Sequence, residues 1–145
     1  MKRNIFTVFS FLFILTNCSI SNDNNNDTQP IVLNFWHLIN TSGGLAGVDD
    51  SFALDTVVWS FSETNGTITV ENNNTEETKQ DGLDSGTYPF SFITEGDYEF
   101  IIIDGNELGK ITANQANFVI NENITSEGEV ADGFVYTFQR VTQAQ

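Results

Sequence analysis

The sequence predicts an all-β domain, an eight-stranded antiparallel up-and-down barrel, from three observations. Short β-branched and aromatic runs alternate with polar neighbours, clusters of Gly, Asn and Asp separate them, and no segment longer than a turn shows helical spacing. The predicted strands are residues 32–39, 56–63, 67–71, 87–94, 98–103, 107–112, 117–121 and 134–141. A two-sheet β-sandwich is the alternative architecture for this strand count.

Residues 1–17 have the composition of a secretory signal peptide. Lys2 and Arg3 make a basic start, and residues 5–15 are apolar apart from Thr7 and Ser10. This run is shorter than the roughly 20 residues that a membrane-spanning helix needs. It fits the apolar region of a signal peptide, so we expect this segment to be cleaved.

The only cysteine follows this segment directly. The stretch Leu15-Thr16-Asn17-Cys18 resembles the lipobox of bacterial lipoproteins, in which the cysteine becomes the acylated first residue of the mature chain. The resemblance implies a lipid anchor on Cys18 and, with Ser19 in the next position, an outer-membrane location at the periplasmic face or the cell surface. The alternative is a plain signal peptide followed by an incidental cysteine. Residues 18–30 are poor in apolar side chains, so we expect a flexible tether.

Charge and length limit what residues 31–145 can do. Cleavage leaves residues 18–145, which contain three basic and 20 acidic residues and have a formal net charge of −17. A chain this acidic is a poor ligand for nucleic acid, which is bound through clustered Lys and Arg. With one cysteine there is no internal disulfide. The remaining length suffices for a single domain with its own core, which we expect to be monomeric.

Alternation within the predicted strands assigns aromatic side chains to the barrel interior. Residues two apart on a strand share a face, and the aromatic residues of several runs recur at this spacing. They either line a cavity for a ligand or fill a solid core. These candidate ligand-lining residues are Trp59, Phe61, Tyr88, Phe90, Tyr98, Phe100, Tyr136 and Phe138.

Connection lengths predict that the two ends of the barrel differ. Connections 40–55, 72–86, 104–106 and 122–133 share one end, and three of them are long. Connections 64–66, 95–97 and 113–116 share the other end and are tight, with Asn65-Gly66 a strong hairpin signal. We therefore expect a mouth among the long loops. The acidic residues predicted to ring it are Asp49, Asp50, Glu76, Glu77, Asp81, Asp84, Glu122, Glu127, Glu129 and Asp132.

Two short stretches carry a resemblance to a family. Asn34-Phe35-Trp36 looks like the Gly-x-Trp motif of the lipocalin-like barrels in the calycin superfamily, in particular bacterial lipoproteins with a lipocalin-like domain. The run 134–140 ends with Arg140, where that family places an Arg over the Trp. The resemblance implies that Trp36 and Arg140 close the barrel, with a lid-like loop at residues 42–47. It also implies that the domain binds a small apolar molecule.

The acidic mouth favours neutral or cationic apolar ligands over fatty acids. The alternative function is a structural or interaction lipoprotein whose barrel is filled and whose acidic loops contact another envelope component.

Signals for catalysis or metal binding are weak. His37 is the only histidine and lies beside Trp36, where we expect a packed or surface residue. Zinc prefers His and Cys ligands, which the domain lacks apart from His37. Residues 81–86 offer oxygen ligands on a turn, but their spacing does not fit an EF-hand, and a solvated loop explains them. We predict no enzymatic activity, no cofactor and no metal.

Overall fold

The computed structural model describes residues 32–144, which form eleven β-strands and no helix. The predicted signal peptide (1–17) and the predicted acylated cysteine and tether (18–30) lie outside these residues. No helix long and apolar enough to cross a membrane occurs between residues 32 and 144. The strands are β1 (Val32–Gly43), β2 (Val48–Ser51), β3 (Val57–Ser62), β4 (Thr67–Asn72), β5 (Gly86–Glu95), β6 (Tyr98–Ile103), β7 (Asn106–Ala113), β8 (Asn117–Asn121), β9 (Ile124–Thr125), β10 (Gly128–Glu129) and β11 (Phe134–Ala144).

Eight of these strands close into one antiparallel barrel. Strands β1, β3, β4, β5, β6, β7, β8 and β11 follow one another around the sheet, and β11 pairs back onto β1 from Val32↔Ala144 to Gly43↔Phe134. Each strand is thus the neighbour of the next barrel strand in sequence. The prediction of an eight-stranded up-and-down barrel is confirmed, and the β-sandwich alternative is wrong.

Two predicted loops contain additional strands. Strand β1 continues to Gly43 and turns back through residues 44–47 into β2, so the expected lid-like loop is the turn of a hairpin. Residues 122–133 contain the β9–β10 hairpin, which Ser126 fastens to β7 through two hydrogen bonds to the Glu107 carboxylate, of 2.7 and 2.6 Å. Alternation of apolar and polar residues did not predict these strands, because β2 is largely polar and β9 and β10 have only two residues each.

Two irregularities in the strands keep particular side chains on the inside. The β1–β11 register shifts between Leu38 and Asn40, and both Leu38 and Thr41 are completely buried. The β6–β7 register shifts where Leu108 is the extra residue, and Leu108 packs against the core. A bulge changes the phase of a strand, so it reorients side chains that strict alternation would send outward.

Aromatic and aliphatic side chains fill the middle of the barrel. The rings of Trp59 and Phe138 lie 4.7 Å apart, and Phe118 contacts Phe138 at 5.8 Å between centroids. Leu38, Ile68, Ile101, Ile120 and Phe138 have no exposed surface. The interior of a barrel of eight strands is just wide enough to be filled in this way.

Gly109 allows strands β7 and β8 to approach at the β7 bulge. Its φ is +139°, and a Cβ at this position would overlap the backbone carbonyl of Asn121 and lie 2.8 Å from Glu122 Cα. We expect Gly109→Ala to lower the free energy of unfolding by about 3 kcal/mol or more, since backbone strain and overlap with backbone atoms combine. Urea unfolding followed by circular dichroism measures this change.

Gly96→Ala is the matched control for Gly109→Ala. Gly96 also has a positive φ, +60°, but no atom lies within 4 Å of the position of its Cβ. The control should cost about 1 kcal/mol, the strain of the left-handed conformation alone. Equal effects of the two substitutions would contradict the steric explanation.

Candidate functional site: an aromatic pocket at the tight-turn end

The two ends of the barrel are covered differently. At one end, called the loop end here, lie the β1–β2 turn, residues 73–85, the β6–β7 turn and the segment 122–133. At the other, the tight-turn end, lie the short connections after β3, β5 and β7. Strand β1 begins and β11 ends at the tight-turn end, since Val32 pairs with Ala144 and Arg140 N–H donates to Ala116.

Residues 73–85 fold across the loop end. Leu83 from this segment packs against the core, and the backbone N–H of Gln80 donates to the Asp50 carboxylate on β2 over 2.9 Å. The Lys79 ammonium group donates to the Ser51 carbonyl and lies 5.5 Å from the centre of the Phe52 ring. The expected open mouth among the long loops is therefore closed by one of those loops.

A small polar cavity of about 240 Å³ remains beneath this loop. Trp59, Tyr136, Glu122 and Gln80 contribute to its lining, and the Gln80 side chain lies 3.4 Å from the Tyr136 hydroxyl. The indole N–H of Trp59 is buried and makes no hydrogen bond within residues 32–144. The cavity is therefore bordered by hydrogen-bonding groups rather than by apolar surface alone.

Several of the acidic residues predicted to ring a mouth instead hold the loops in place. Carboxylate oxygens of Asp49, Asp50 and Asp81 accept hydrogen bonds from Asn40, Gln80 and Asn74, respectively. Glu122 accepts the backbone N–H of Phe134 over 2.9 Å. These carboxylates fasten covering segments to the barrel.

The tight-turn end contains an apolar pocket of about 300 Å³. Its rim is exposed: Phe92, on the wall, has 46% of its surface accessible. Glu63 and Glu99 are the charged residues of its lining. The remaining lining residues are Trp36, Phe61, Phe90, Phe92, Ile111, Ala113 and Phe118.

Contacts among the aromatic rings hold the pocket walls in position. Phe61 meets Phe90 edge to face at 5.1 Å and Phe118 at 5.8 Å, and Trp36 lies 5.6 Å from Phe118. Phe90 and Phe92 are 5.3 Å apart. Edge-to-face contacts at these distances are favourable beyond the area they bury, so the pocket is preformed.

The strand stagger produces the opening. Strand β5 pairs with β4 only up to Pro89 and with β6 from Phe90 onward, so residues 90–95 extend past the end of β4. Strands β1 and β3 pair only at Trp36↔Trp59 and His37↔Val58. Beyond this point they separate, and a groove lined by Trp36, Phe61, Glu63 and Arg140 adjoins the pocket.

The predicted closing pair lies at this groove. Trp36 and Arg140 are directly opposite each other on β1 and β11, so the two strands join as expected. The cation–π contacts within residues 32–144 are those of Lys79 with Phe52 and Lys110 with Tyr98. The expected packing of Arg140 over the Trp36 ring is therefore not observed.

Tyr98 and Phe100 were expected among the ligand-lining residues, but the structure places both side chains on the outer face of β6, away from the barrel interior. The core contains Ile101 and Ile103 from this strand, which fixes the opposite face as the outside. Phe100 is only 2% exposed, since it borders the covering β9–β10 hairpin. Tyr98 is half exposed beneath the ammonium group of Lys110, at 3.8 Å.

The other predicted lining residues divide among three places. Phe61 and Phe90 line the aromatic pocket, whereas Trp59 and Tyr136 border the polar cavity at the loop end. Phe138 is buried between these two ends, and Tyr88 packs against the core and donates its hydroxyl to the Asp84 carbonyl. The sequence interpretation thus found two of the pocket's aromatic walls.

Phe92, Phe118, Ile111, Ala113, Glu63 and Glu99 were missed as pocket residues. Phe92 continues the alternation that begins with Tyr88 and Phe90, a signal that could have included it. The sequence pattern did not indicate that Glu99 faces the pocket, because the run 98–103 has apolar residues on both faces.

His37 has a structural role on the outer face of β1. It is 5% exposed, and its Nδ1 accepts the backbone N–H of Asp55 over 3.0 Å. Of the two expectations from the sequence, a packed or a surface residue, the structure shows the packed one. No group of three or more His, Cys, Asp or Glu side chains suited to a metal occurs in the described part of the chain.

Comparison with protein-family models, curated proteins and solved structures found no match for this chain.

Ionisation of the Tyr136 hydroxyl, which borders the loop-end cavity, should make the stability of the protein depend on pH in the alkaline range. Burial raises its pKa from 10.0 to about 12, the nearby Glu122 carboxylate adds to the rise, and the hydrogen bond from Gln80 opposes it. Because the folded-state pKa exceeds the unfolded one, the folded state keeps this proton longer. The unfolded chain ionises first, so stability should fall as the pH rises from about 10 to about 12.

Tyr136→Phe removes this ionisation. The free energy of unfolding of this variant should fall less than that of the wild type across this window. The difference should reach about 2–3 kcal/mol, because the pKa of Tyr136 rises from 10.0 to about 12 on folding. Urea unfolding at a series of pH values measures the difference. The wild type, unfolded in parallel, is the reference. Identical pH dependence in the two proteins would contradict the assignment.

Proposed function

We propose that this protein is an outer-membrane-anchored envelope lipoprotein with a lipocalin-like barrel that binds a small apolar ligand at the tight-turn end. The proposal of ligand binding rests on one observation, the preformed aromatic pocket with an exposed rim. The anchoring part rests on the sequence around Cys18, and the protein would face the periplasm or the cell surface.

The composition of the pocket supports ligand binding. Five aromatic residues meet at one concave opening, and Phe92 remains nearly half exposed there. Exposed apolar surface that is gathered into a concavity, rather than scattered singly, is typical of binding sites. A volume of about 300 Å³ is at the lower limit for small-molecule pockets, which favours a compact ligand.

The position of the pocket fits the proposed anchor. The described chain begins with β1 at the tight-turn end, so the segment leading back to Cys18 joins the barrel beside the pocket. Thirteen residues, 19–31, lie between Cys18 and β1, a span of at most about 45 Å when fully extended. The pocket mouth would then lie on the membrane side of the domain, where apolar compounds partition.

A filled middle and a covered loop end favour the second candidate, an interaction lipoprotein without a ligand. Its partner would contact the acidic loop end. Native mass spectrometry of the protein purified from its host separates the two candidates. A small mass bound repeatedly to the protein supports the first, and its consistent absence supports the second.

A neutral fluorescent probe tests the pocket directly. N-phenyl-1-naphthylamine, which brightens in apolar sites, should bind the wild type in a saturable manner. Ala113→Phe places a ring in the pocket lining and should weaken probe binding about tenfold or more, since it fills part of a small cavity. Fluorescence titration measures both affinities.

Thr112→Phe is the matched control for Ala113→Phe. It introduces the same side chain at the adjacent, exposed residue of β7, outside the pocket lining. Its probe affinity should equal that of the wild type. Equal affinity in all three proteins would place the probe elsewhere and contradict the proposed site.

Replacing Cys18 by Ser tests the anchor. Acyl chains contribute about 0.8 kcal/mol per buried methylene, so their loss should release the protein from the membrane. We expect the wild type in the membrane fraction and Cys18→Ser in the soluble fraction of the cells, measured by immunoblotting. Retention of Cys18→Ser in the membrane fraction would contradict lipid anchoring.

A further inference from the structure

We infer that the ligand of the aromatic pocket is an apolar organic ammonium ion, whose positive charge Glu99 and Glu63 hold at the rim. This inference rests on the proposed function, because it names the chemical class of ligand for the same pocket. It follows from the two carboxylates of the lining, from the positions of the basic residues, and from the aromatic walls.

Both carboxylates border the pocket, and neither is engaged elsewhere in the described chain. Glu99 shares the inner face of β6 with Ile101 and Ile103, and Glu63 follows the last residue of β3. Within residues 32–144 their side chains make no hydrogen bond and no ion pair. The loop-end carboxylates of Asp50, Asp81 and Glu122, in contrast, accept hydrogen bonds from covering segments.

The basic residues of the described chain lie away from Glu99, so the charge of this carboxylate is not balanced by a neighbouring cation. Lys79 binds Glu76 and the Ser51 carbonyl at the loop end, and Lys110 lies over the Tyr98 ring on the outer face. Arg140 borders the adjoining groove together with Glu63. The charge of the rim is therefore negative, and most clearly so at Glu99.

The aromatic walls suit a cation. Aromatic rings carry negative charge on their faces, and Trp36, Phe61, Phe90, Phe92 and Phe118 converge on this one cavity. A neutral ligand that covered the rim would desolvate the carboxylates without compensation, and an anion would be repelled. An apolar ammonium ion satisfies the rings and the carboxylates together.

A matched probe pair isolates the charge. Phenyltrimethylammonium and tert-butylbenzene have the same shape and differ by one positive charge. The full chain carrying Cys18→Ser avoids detergent, and each compound is titrated against bound N-phenyl-1-naphthylamine. Glu99→Gln and Glu63→Gln should each weaken the ammonium probe by about two- to fivefold, the range for partly exposed charge pairs, and leave tert-butylbenzene unchanged.

Two further variants test whether the affinity for the ammonium probe depends on the sign of the charge that is removed and on its position beside the pocket. Arg140→Gln removes the basic residue beside the pocket and should strengthen the ammonium probe. Glu95→Gln removes one carboxylate from the same hairpin, but Glu95 borders the outer groove beneath β9–β10, so neither probe should change.

The outcomes are separable. Loss of ammonium affinity alone in Glu99→Gln and Glu63→Gln, with Glu95→Gln unchanged, supports the inference. Equal changes for both probes, or no change in either variant, overturn it while the binding function stands. Failure of the wild type to bind N-phenyl-1-naphthylamine and both compounds overturns the proposed function and the inference with it.

Discussion

Packing in the middle of the barrel is the constraint on which the rest of the structure depends. An eight-stranded barrel has an interior just wide enough for side chains, and here Trp59, Phe138 and their aliphatic neighbours occupy it. A ligand cannot pass through this layer. Any binding site must therefore lie at one end, and the elements that cover each end decide which one stays accessible.

The two ends differ because long and short connections have different reach. Residues 73–85 are long enough to cross the barrel, pack Leu83 against the core and form hydrogen bonds with β2. A short turn ends beside its own two strands and cannot cover the opening. The tight-turn end therefore keeps its aromatic residues accessible, the reverse of the expectation that long loops surround a mouth.

Acidic residues serve two purposes in this arrangement. Those at the loop end accept hydrogen bonds from Asn40, Gln80 and Asn74 and hold the covering segments in place. Glu63 and Glu99 border the pocket with no partner among the described residues. The formal charge of −15 for the whole chain counts every carboxylate alike, so net charge alone does not distinguish these two roles.

The sequence by itself determined the eight barrel strands, their order and the inward face of strands with clean alternation, as for Phe61, Phe90 and Phe138. Period two fixes a face only when one side of a strand meets water. Both faces of residues 98–103 carry apolar side chains, because the β9–β10 hairpin covers Phe100 from outside, so alternation did not reveal that Tyr98 and Phe100 lie on the outer face. Only the tertiary structure decided which end is open and which residues meet there. Phe92, Phe118 and Glu99 lie on separate strands, and closure of the barrel brings them to one pocket.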